Sequence, residues 1–519
     1  MKINKINSIQ NKFTILHFTF LILFTLLTAN HQTKSSDKNN PESSDPFLNY
    51  STPEEQGLDS ELLADMLEKI KLEDLKVRSV IIIRNGHLVL ESYVHPYTKD
   101  VLHDVKSVSK SIISSVVGLA LKENIIESLE QKVSDFLPEY FQDEDSIKRN
   151  IKLSHLLSMS SGLSIDENGS IMNEIMTKED WVEETFKQPI VSSPGEEFSY
   201  CTFLTHAMSL VLSKASRTGL LELTHKHLFN NLGIKEVYWE KGPHGYYFGG
   251  DKLWLTPRAM AKFGYLYLNN GMWSNNQILP QEWVEASTKN QFKEFPDSSY
   301  IGYGYGWWLG KNGSYYARGA GGQIISVYPE RDMVVVFTGA DSYVWQNLTN
   351  EFILPAVNET GLLPPNHDAK LRIKNMIGEL ELPEPISLQP VPEIVKKISD
   401  KKFILENNDL GFSEITFSFN EPDVFSIVIK YEDKILDLLA GLDGIYRVNK
   451  EVKWGIKPDN NIIALRGTWL NETKLFLDFH EVGEPFYFEV ELEFSSDNIS
   501  ALFTWQPFGW KFHVVGTPK

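Results

Sequence analysis

His103-Asp104-Val105-Lys106-Ser107-Val108-Ser109-Lys110-Ser111 runs directly into Ile112-Ile113-Ser114-Ser115-Val116-Val117-Gly118-Leu119-Ala120-Leu121. The second stretch is apolar and long enough for a buried helix. The first carries Ser107 and Lys110 as S-x-x-K, a spacing that sets both side chains on one helical face about one turn apart. A serine hydroxyl is a poor nucleophile at neutral pH, and a neighbouring lysine that has lost its proton can activate it. Lysine does so only where burial or nearby positive charge lowers its pKa. The first turn of a helix also offers a positive backbone field and free N–H groups. The competing reading makes Ser107 a helix cap and Lys110 a surface residue.

Two further S-x-x-K matches, Ser35 to Lys38 and Ser399 to Lys402, separate on context. Ser35 sits in a polar stretch with no core to depress a lysine. Ser399 sits among Lys396, Lys397, Asp400 and Lys401, a solvated segment. Only Ser107 leads into an apolar run.

The chain of 519 residues exceeds one ordinary core, so two folded domains are expected. Apolar content of 42% and charged content of 23% are globular values. A net charge of −19 argues against a general nucleic-acid binder, which needs clustered Lys and Arg. Cys201 is the single cysteine, which excludes an intramolecular disulfide and Cys-based zinc sites. The pair His225 and His227 reads as surface or cap residues, and neither a metal nor a cofactor is implied.

Lys2, Lys5 and Lys12 precede an apolar run from Phe13 to Leu27, too short for a membrane span and suited to the core of an export signal. Thr28-Ala29-Asn30 offers a cleavage site. The expected product is periplasmic or extracellular; left uncleaved, the segment would anchor the chain in a membrane. Residues 1–29 are thus read as a signal peptide and 30–50 as a disordered spacer.

Folded structure is expected from 51. Asp59 to Ile70 has helical periodicity. Val77 to Arg84, the Asn85-Gly86 turn and His87 to Val94 form a hairpin. A mixed helical and loop region spans about 125 to 300. Strand-like runs come next at Ser314 to Ala317, Gln323 to Tyr328 and Met333 to Thr338, then a helix from about Tyr343 to Val357. Bringing the terminal strands into one antiparallel sheet with the helices packed beside it is the economical arrangement. Residues 51–362 form this domain. Pro364-Pro365 and Pro383-Glu384-Pro385 mark 363–399 as a linker. Residues 400–519 alternate as short strands, expected as a small β-barrel or sandwich accessory domain.

Two more segments carry chemistry. Ser193-Pro194-Gly195-Glu196-Glu197-Phe198-Ser199-Tyr200-Cys201-Thr202 precedes a helix from Phe203 to Ser213 and delivers Tyr200 to a loop–helix junction. A tyrosine near Lys110 could pass a proton between nucleophile and leaving group, with the lysine's charge helping it ionise. The bland reading is a core tyrosine. Tyr316-Ala317-Arg318-Gly319-Ala320-Gly321-Gly322-Gln323 ends one strand and begins the next. A backbone N–H there could supply half an oxyanion hole, with Ser107 N–H as the other half.

These elements, in this order, resemble the serine β-lactamase and penicillin-binding-protein superfamily, and most of all its class C-like esterases and 6-aminohexanoate-dimer hydrolases. His155 to Leu163, Leu255 to Ala261 and Tyr303 to Trp308 add to the likeness, which covers about 50 to 360. The resemblance implies an α+β fold, an antiparallel sheet with a helical insert. It implies Ser107 as acylated nucleophile, Lys110 as general base and Tyr200 as general acid/base. Ala317-Arg318-Gly319 would replace the K-T-G element, and Ala320 N–H would complete the oxyanion hole. Thr202, Ala317 and Gly319 would touch substrate. Thr202 stands where the family usually has Asn, and Ala317 where β-lactamases and peptidases carry the Lys that binds a substrate carboxylate. The expected activity is therefore hydrolysis of a small ester or amide through a Ser107 acyl-enzyme. A D-amino-acid peptidase, carboxypeptidase or β-lactamase of the same fold is the near alternative, and a non-catalytic binding protein the distant one.

Overall fold

The computed structural model describes residues 49–519 apart from 143–146, 166, 168, 298 and 455–460. The expected signal peptide and nearly all of the spacer lie outside the described residues. Helix α1 (Ser60–Leu72) starts at Asp59, whose side chain accepts the Glu61 N–H, and buries Leu63, Leu67 and Ile70. Strands β1 (Val77–Arg84) and β2 (His87–Tyr93) meet at Asn85 and Gly86, with φ of 49° and 75°, as a type I′ turn requires. Helix α2 is Val108–Lys122, α3 is Thr202–Ser216 and α4 is Pro257–Leu268. Two short strands, β3 (Gly302–Tyr303) and β4 (Trp308–Leu309), precede β5 (Tyr315–Gly319), β6 (Gln323–Tyr328) and β7 (Met333–Gly339).

The sheet order is β2-β1-β7-β6-β5-β4-β3, every pairing antiparallel. The N-terminal hairpin thus pairs with the last strand of the domain, with Ile81 opposite Val336. All eight residues of β1 are buried because helices cover both faces. Ile81 and Ile83 enter the core that holds α2 and α3. Val80 and Ile82 enter the other, with Leu63 and Leu67 of α1.

The segment 363–399 departs from its reading as a linker. It contains α5 (His367–Glu381), whose Ile373 and Leu380 join the α1 core. Arg372 lies 2.6 Å from Asp65 of α1. Seven-residue spacing of the two apolar side chains gives the helix a face to bury, and the flanking prolines mark its ends. Beyond α5 the chain is exposed, with Leu382 at 80% and Val391 at 54%.

The C-terminal strands are β8 (Lys402–Leu405), β9 (Phe412–Ser418), β10 (Val424–Tyr431), β11 (Lys434–Gly441), β12 (Arg447–Val452), β13 (Asn461–Trp469), β14 (Lys474–Glu481), β15 (Tyr487–Phe494), β16 (Ile499–Gln506) and β17 (Trp510–Pro518). Successive strands pair except β11 with β12, β8 pairs β17, and Gly441 of β11 bridges to Arg466 of β13, closing a barrel. Phe417, Phe425, Leu465 and Leu475 fill it, leaving an apolar void of ≈ 30 Å³. That is far below the size of a small-molecule pocket, so the interior is a packed core.

The barrel is docked on the first domain. Tyr97 Oη meets His480 Nδ1 at 3.1 Å, and Arg78 donates to the carbonyls of Glu484 and Pro485. The β14–β15 loop carries these two residues into the neighbourhood of Asp104 and Lys106.

Candidate active site

The turn before α2 sets the geometry. Val105 N–H bonds to Leu253 O, and Asp104 Oδ1 accepts the Lys106 N–H at 3.0 Å. Lys106 has φ of 51°, a left-handed conformation that bulky residues rarely adopt. Ser107 comes next, at the helix cap position, yet its side chain makes no capping bond. The capping reading therefore fails, and the hydroxyl is left to face Lys110. Gly319 lies against this turn: a Cβ there would stand 2.2 Å from Val105 O, so only glycine lets β5 pass so close.

Lys110 is 1% exposed. Its Nζ lies 2.8 Å from Ser107 Oγ, 2.9 Å from Thr202 Oγ1 and 2.7 Å from Gly250 O. A carbonyl can only accept, and the Thr202 hydroxyl gives its hydrogen to Glu167 Oε1. Ser107 alone of the three can donate to the amine. Nζ donates to all three, and once the amine gives up a proton its lone pair faces Ser107, the one partner with a hydrogen to return. Burial lowers the lysine's pKa, with Glu167 and Asp251 opposing in part. Gly250 approaches closely because it has no side chain; a Cβ would meet Thr202 O at 2.4 Å.

Tyr200 precedes α3. Ser199 holds the loop, its N–H on Met159 O and its hydroxyl on Ile165 O. The tyrosine ring lies 4.9 Å from Lys110 Nζ, 5.4 Å from the Trp308 ring and 6.1 Å from the Tyr303 ring, perpendicular to the latter. Burial and the Glu167 carboxylate raise its pKa, while Ser107 and Arg318 act the other way. Tyr200 therefore rests as a neutral phenol, a donor rather than a standing tyrosinate. Neighbouring Cys201 is buried, and its thiol is pushed up to about 12 by burial and Glu167, so it stays protonated.

Among the described residues, neither Ser107 N–H nor Ala320 N–H is engaged in a hydrogen bond. Ala320 is exposed on the β5–β6 turn and Ser107 is half-buried. Two of the expected substrate contacts are different. Thr202 is 6% exposed and its hydroxyl is fully used between Lys110 and Glu167. It holds the lysine in place. Ala317 is 0% exposed, within the core that holds α2. Its strand neighbour Arg318 projects to the sheet edge, its guanidinium 5.2 Å from the Tyr300 ring and 5.8 Å from the Trp308 ring.

Glu167 and Gly250 carry no signal in the sequence. Glu167 accepts both the N–H and the hydroxyl of Thr202. It lies 35 residues away from Thr202 in a Ser/Asp/Asn/Gly loop with no motif of its own.

A family model described as Beta-lactamase matches residues 77–344. The 6-aminohexanoate-dimer hydrolase of Paenarthrobacter ureafaciens is 23% identical over 338 residues, which are 58% of this chain and 84% of that protein. Among solved structures, the octameric penicillin-binding protein homologue from Pyrococcus abyssi is similar with a TM-score of 0.45 and 16% identity, covering 88% of this chain and 99% of that one. EstCE1, a hydrolase with promiscuous acyltransferase activity, gives a TM-score of 0.47 at 15% identity, covering 61% of this chain and 99% of that one.

Proposed function

The chain belongs to the beta-lactamase family, and on that premise we propose that it is a serine hydrolase that cleaves a small ester or amide through an acyl-enzyme on Ser107. One observation carries the reading. Lys110 Nζ is buried, 2.8 Å from Ser107 Oγ, and of its three polar partners only Ser107 can donate a proton to it.

In acylation, the Lys110 lone pair takes the Ser107 hydroxyl proton as Oγ attacks the substrate carbonyl. The N–H groups of Ser107 and Ala320 receive the developing oxyanion. The leaving group takes a proton from the neutral Tyr200 phenol, which is replenished from Lys110. Water then attacks the acyl carbonyl along the same proton path in reverse. The intact Ser107/Lys110/Tyr200 set weighs against a binding protein that merely keeps the fold.

Ala317 offers no cation, which favours esters or amides lacking the carboxylate of a β-lactam or D-alanyl peptide. Arg318 at the sheet edge is the observation that keeps the peptidase and β-lactamase reading as the second choice. Export completes the proposal. It rests on the basic and apolar pattern of residues 1–29; among the described residues no helix is long and apolar enough to cross a membrane. A serine-reactive phosphonate with peptide mapping, followed by a panel of chromogenic esters, amides and cephalosporins, tests the reading. Labelling away from Ser107 would overturn it.

A further inference from the structure

The barrel loop between β14 and β15 ends in the catalytic neighbourhood. Gly483 O accepts the Asp104 N–H at 2.9 Å. Glu484, 5% exposed, sets Oε2 3.3 Å from Lys106 Nζ and Oε1 3.9 Å from Lys252 Nζ. Asp104 Oδ2 lies 2.6 Å from Lys106 Nζ and 3.6 Å from Lys252 Nζ. Two carboxylates and two ammonium groups thus alternate in one buried cluster, and one carboxylate comes from the other domain.

Both lysines adjoin the machinery. Lys106 is bonded to Ser107, and its carbonyl accepts from Ser109 Oγ at 2.6 Å. Lys252 comes two residues after Gly250, whose carbonyl holds Lys110 Nζ. Both have left-handed backbones, with φ of 51° and 63°. Such conformations persist at functional sites only when their surroundings hold them. The surroundings here are largely electrostatic. Burial alone would lower the pKa of Lys106, but Asp104 and Glu484 more than offset it. Lys252 behaves alike, burial being outweighed by Glu484 and Asp104. Both therefore stay charged, and losing one carboxylate would leave an uncompensated buried cation.

We propose that Glu484 of the barrel is a positioning residue of the catalytic centre, pinning at once the turn that presents Ser107 and the segment whose Gly250 carbonyl orients Lys110. This rests on the reading of Ser107 as nucleophile and Lys110 as base. The barrel then supplies a member of the site in cis, and its docking is a condition of turnover.

The test uses the full-length chain with Glu484→Gln, Glu484→Asp and, as an interface control, Tyr446→Phe. Tyr446 Oη bonds Asp478 and His480 within the barrel, and so supports His480, which meets Tyr97 across the interface. Readouts are phosphonate labelling rate at Ser107, kcat and KM on a chromogenic ester, and the thermal midpoint. Glu484→Gln should lose about 10- to 100-fold in labelling rate and kcat, with KM within about threefold, as sub-ångström misplacement of reacting groups does. Glu484→Asp keeps the charge with shorter reach and should fall between it and wild type, which remains decisive if Glu484→Gln does not fold. Tyr446→Phe should keep kcat even where its midpoint falls. Wild-type kcat in both Glu484 variants, or a loss matched by Tyr446→Phe at equal midpoint, would overturn the proposal. Absence of labelling at Ser107 in the wild-type protein would instead overturn the underlying assignment, and the proposal with it.

Discussion

Glu167 closes on Thr202 from two sides, taking its backbone N–H at 2.7 Å and its hydroxyl hydrogen through the other carboxylate oxygen. Thr202 is thereby oriented with a lone pair toward Lys110 Nζ, 2.9 Å away. Threonine thus holds the lysine through its hydroxyl, turned by a carboxylate.

Glu167→Gln should move the whole pH–rate profile to lower pH. The carboxylate raises the pKa of both Lys110 and Tyr200, so removing its charge lowers both. Activity needs neutral Lys110, so the rising limb shifts acid. It also needs the protonated Tyr200, so the falling limb shifts the same way. Kinetics across pH on a chromogenic ester measure this; limbs that stay in place would show the charge is not felt at the site.

Ser107→Ala should abolish turnover and leave the fold intact, because the covalent route depends on one oxygen. Its side chain makes no capping bond, so helix α2 loses no cap, and Lys110 keeps Thr202 and Gly250 as partners. A thermal midpoint unchanged while activity vanishes is the expected pair of results; full activity in the variant would end the acyl-enzyme reading.

Lys110→Ala and Tyr200→Phe should each cost several orders of magnitude in kcat, and the double variant far less than their sum. Groups sharing one proton path are strongly non-additive. Lys110 Nζ lies 4.9 Å from the Tyr200 ring centre and 2.8 Å from Ser107 Oγ, and Ser107 also hydrogen-bonds the Tyr200 phenol. A double-mutant cycle that comes out additive would separate their roles.

Limited proteolysis should cut the exposed stretch between Leu382 and Val391. Because α5 packs on α1 and the barrel docks through Arg78, Tyr97, Lys106 and Glu484, the nicked halves should stay together on native size exclusion. Separate elution of a free barrel would mean the interface is too weak to hold the site.

How far the sequence speaks depends on how local the signal is. Ser107 and Lys110 are one turn apart and lead into an apolar helix, so motif and fold can be read together. The Asn85-Gly86 turn sets the first hairpin for the same reason, and the alternating strands from Phe412 onward announce a β domain. Glu484 meets Lys106 across 378 residues and sits in a strand loop without a motif, so only folding brings it there. Prolines beside α5 read as a linker because they punctuate chain direction and say nothing about Ile373 and Leu380 finding a core. Thr202 and Ala317 lie on the elements expected for them, but strand and helix position alone cannot tell a side chain facing substrate from one spent inside a network.

Short-chain esters should be turned over far faster than cephalosporins or D-alanyl-D-alanine peptides. By the resemblance read from sequence, Ala317 stands where a lysine would bind a substrate carboxylate. A lost charge-assisted contact is worth about 1.5–3 kcal/mol, roughly 10- to 150-fold in binding. Restoring that lysine is not a simple exchange here. Ala317 is 0% exposed among the residues packed on α2, so Ala317→Lys must either bury an ammonium group or displace β5. The variant should show a lowered thermal midpoint and no gain in cephalosporin hydrolysis. The cation already close by is Arg318, set against Tyr300 and Trp308, the latter packed near Tyr200. Efficient cephalosporin turnover by the wild-type protein, with weak esterase activity and loss of that turnover in Arg318→Met, would show that this arginine seats the carboxylate. The ester reading would then give way to the peptidase or β-lactamase one.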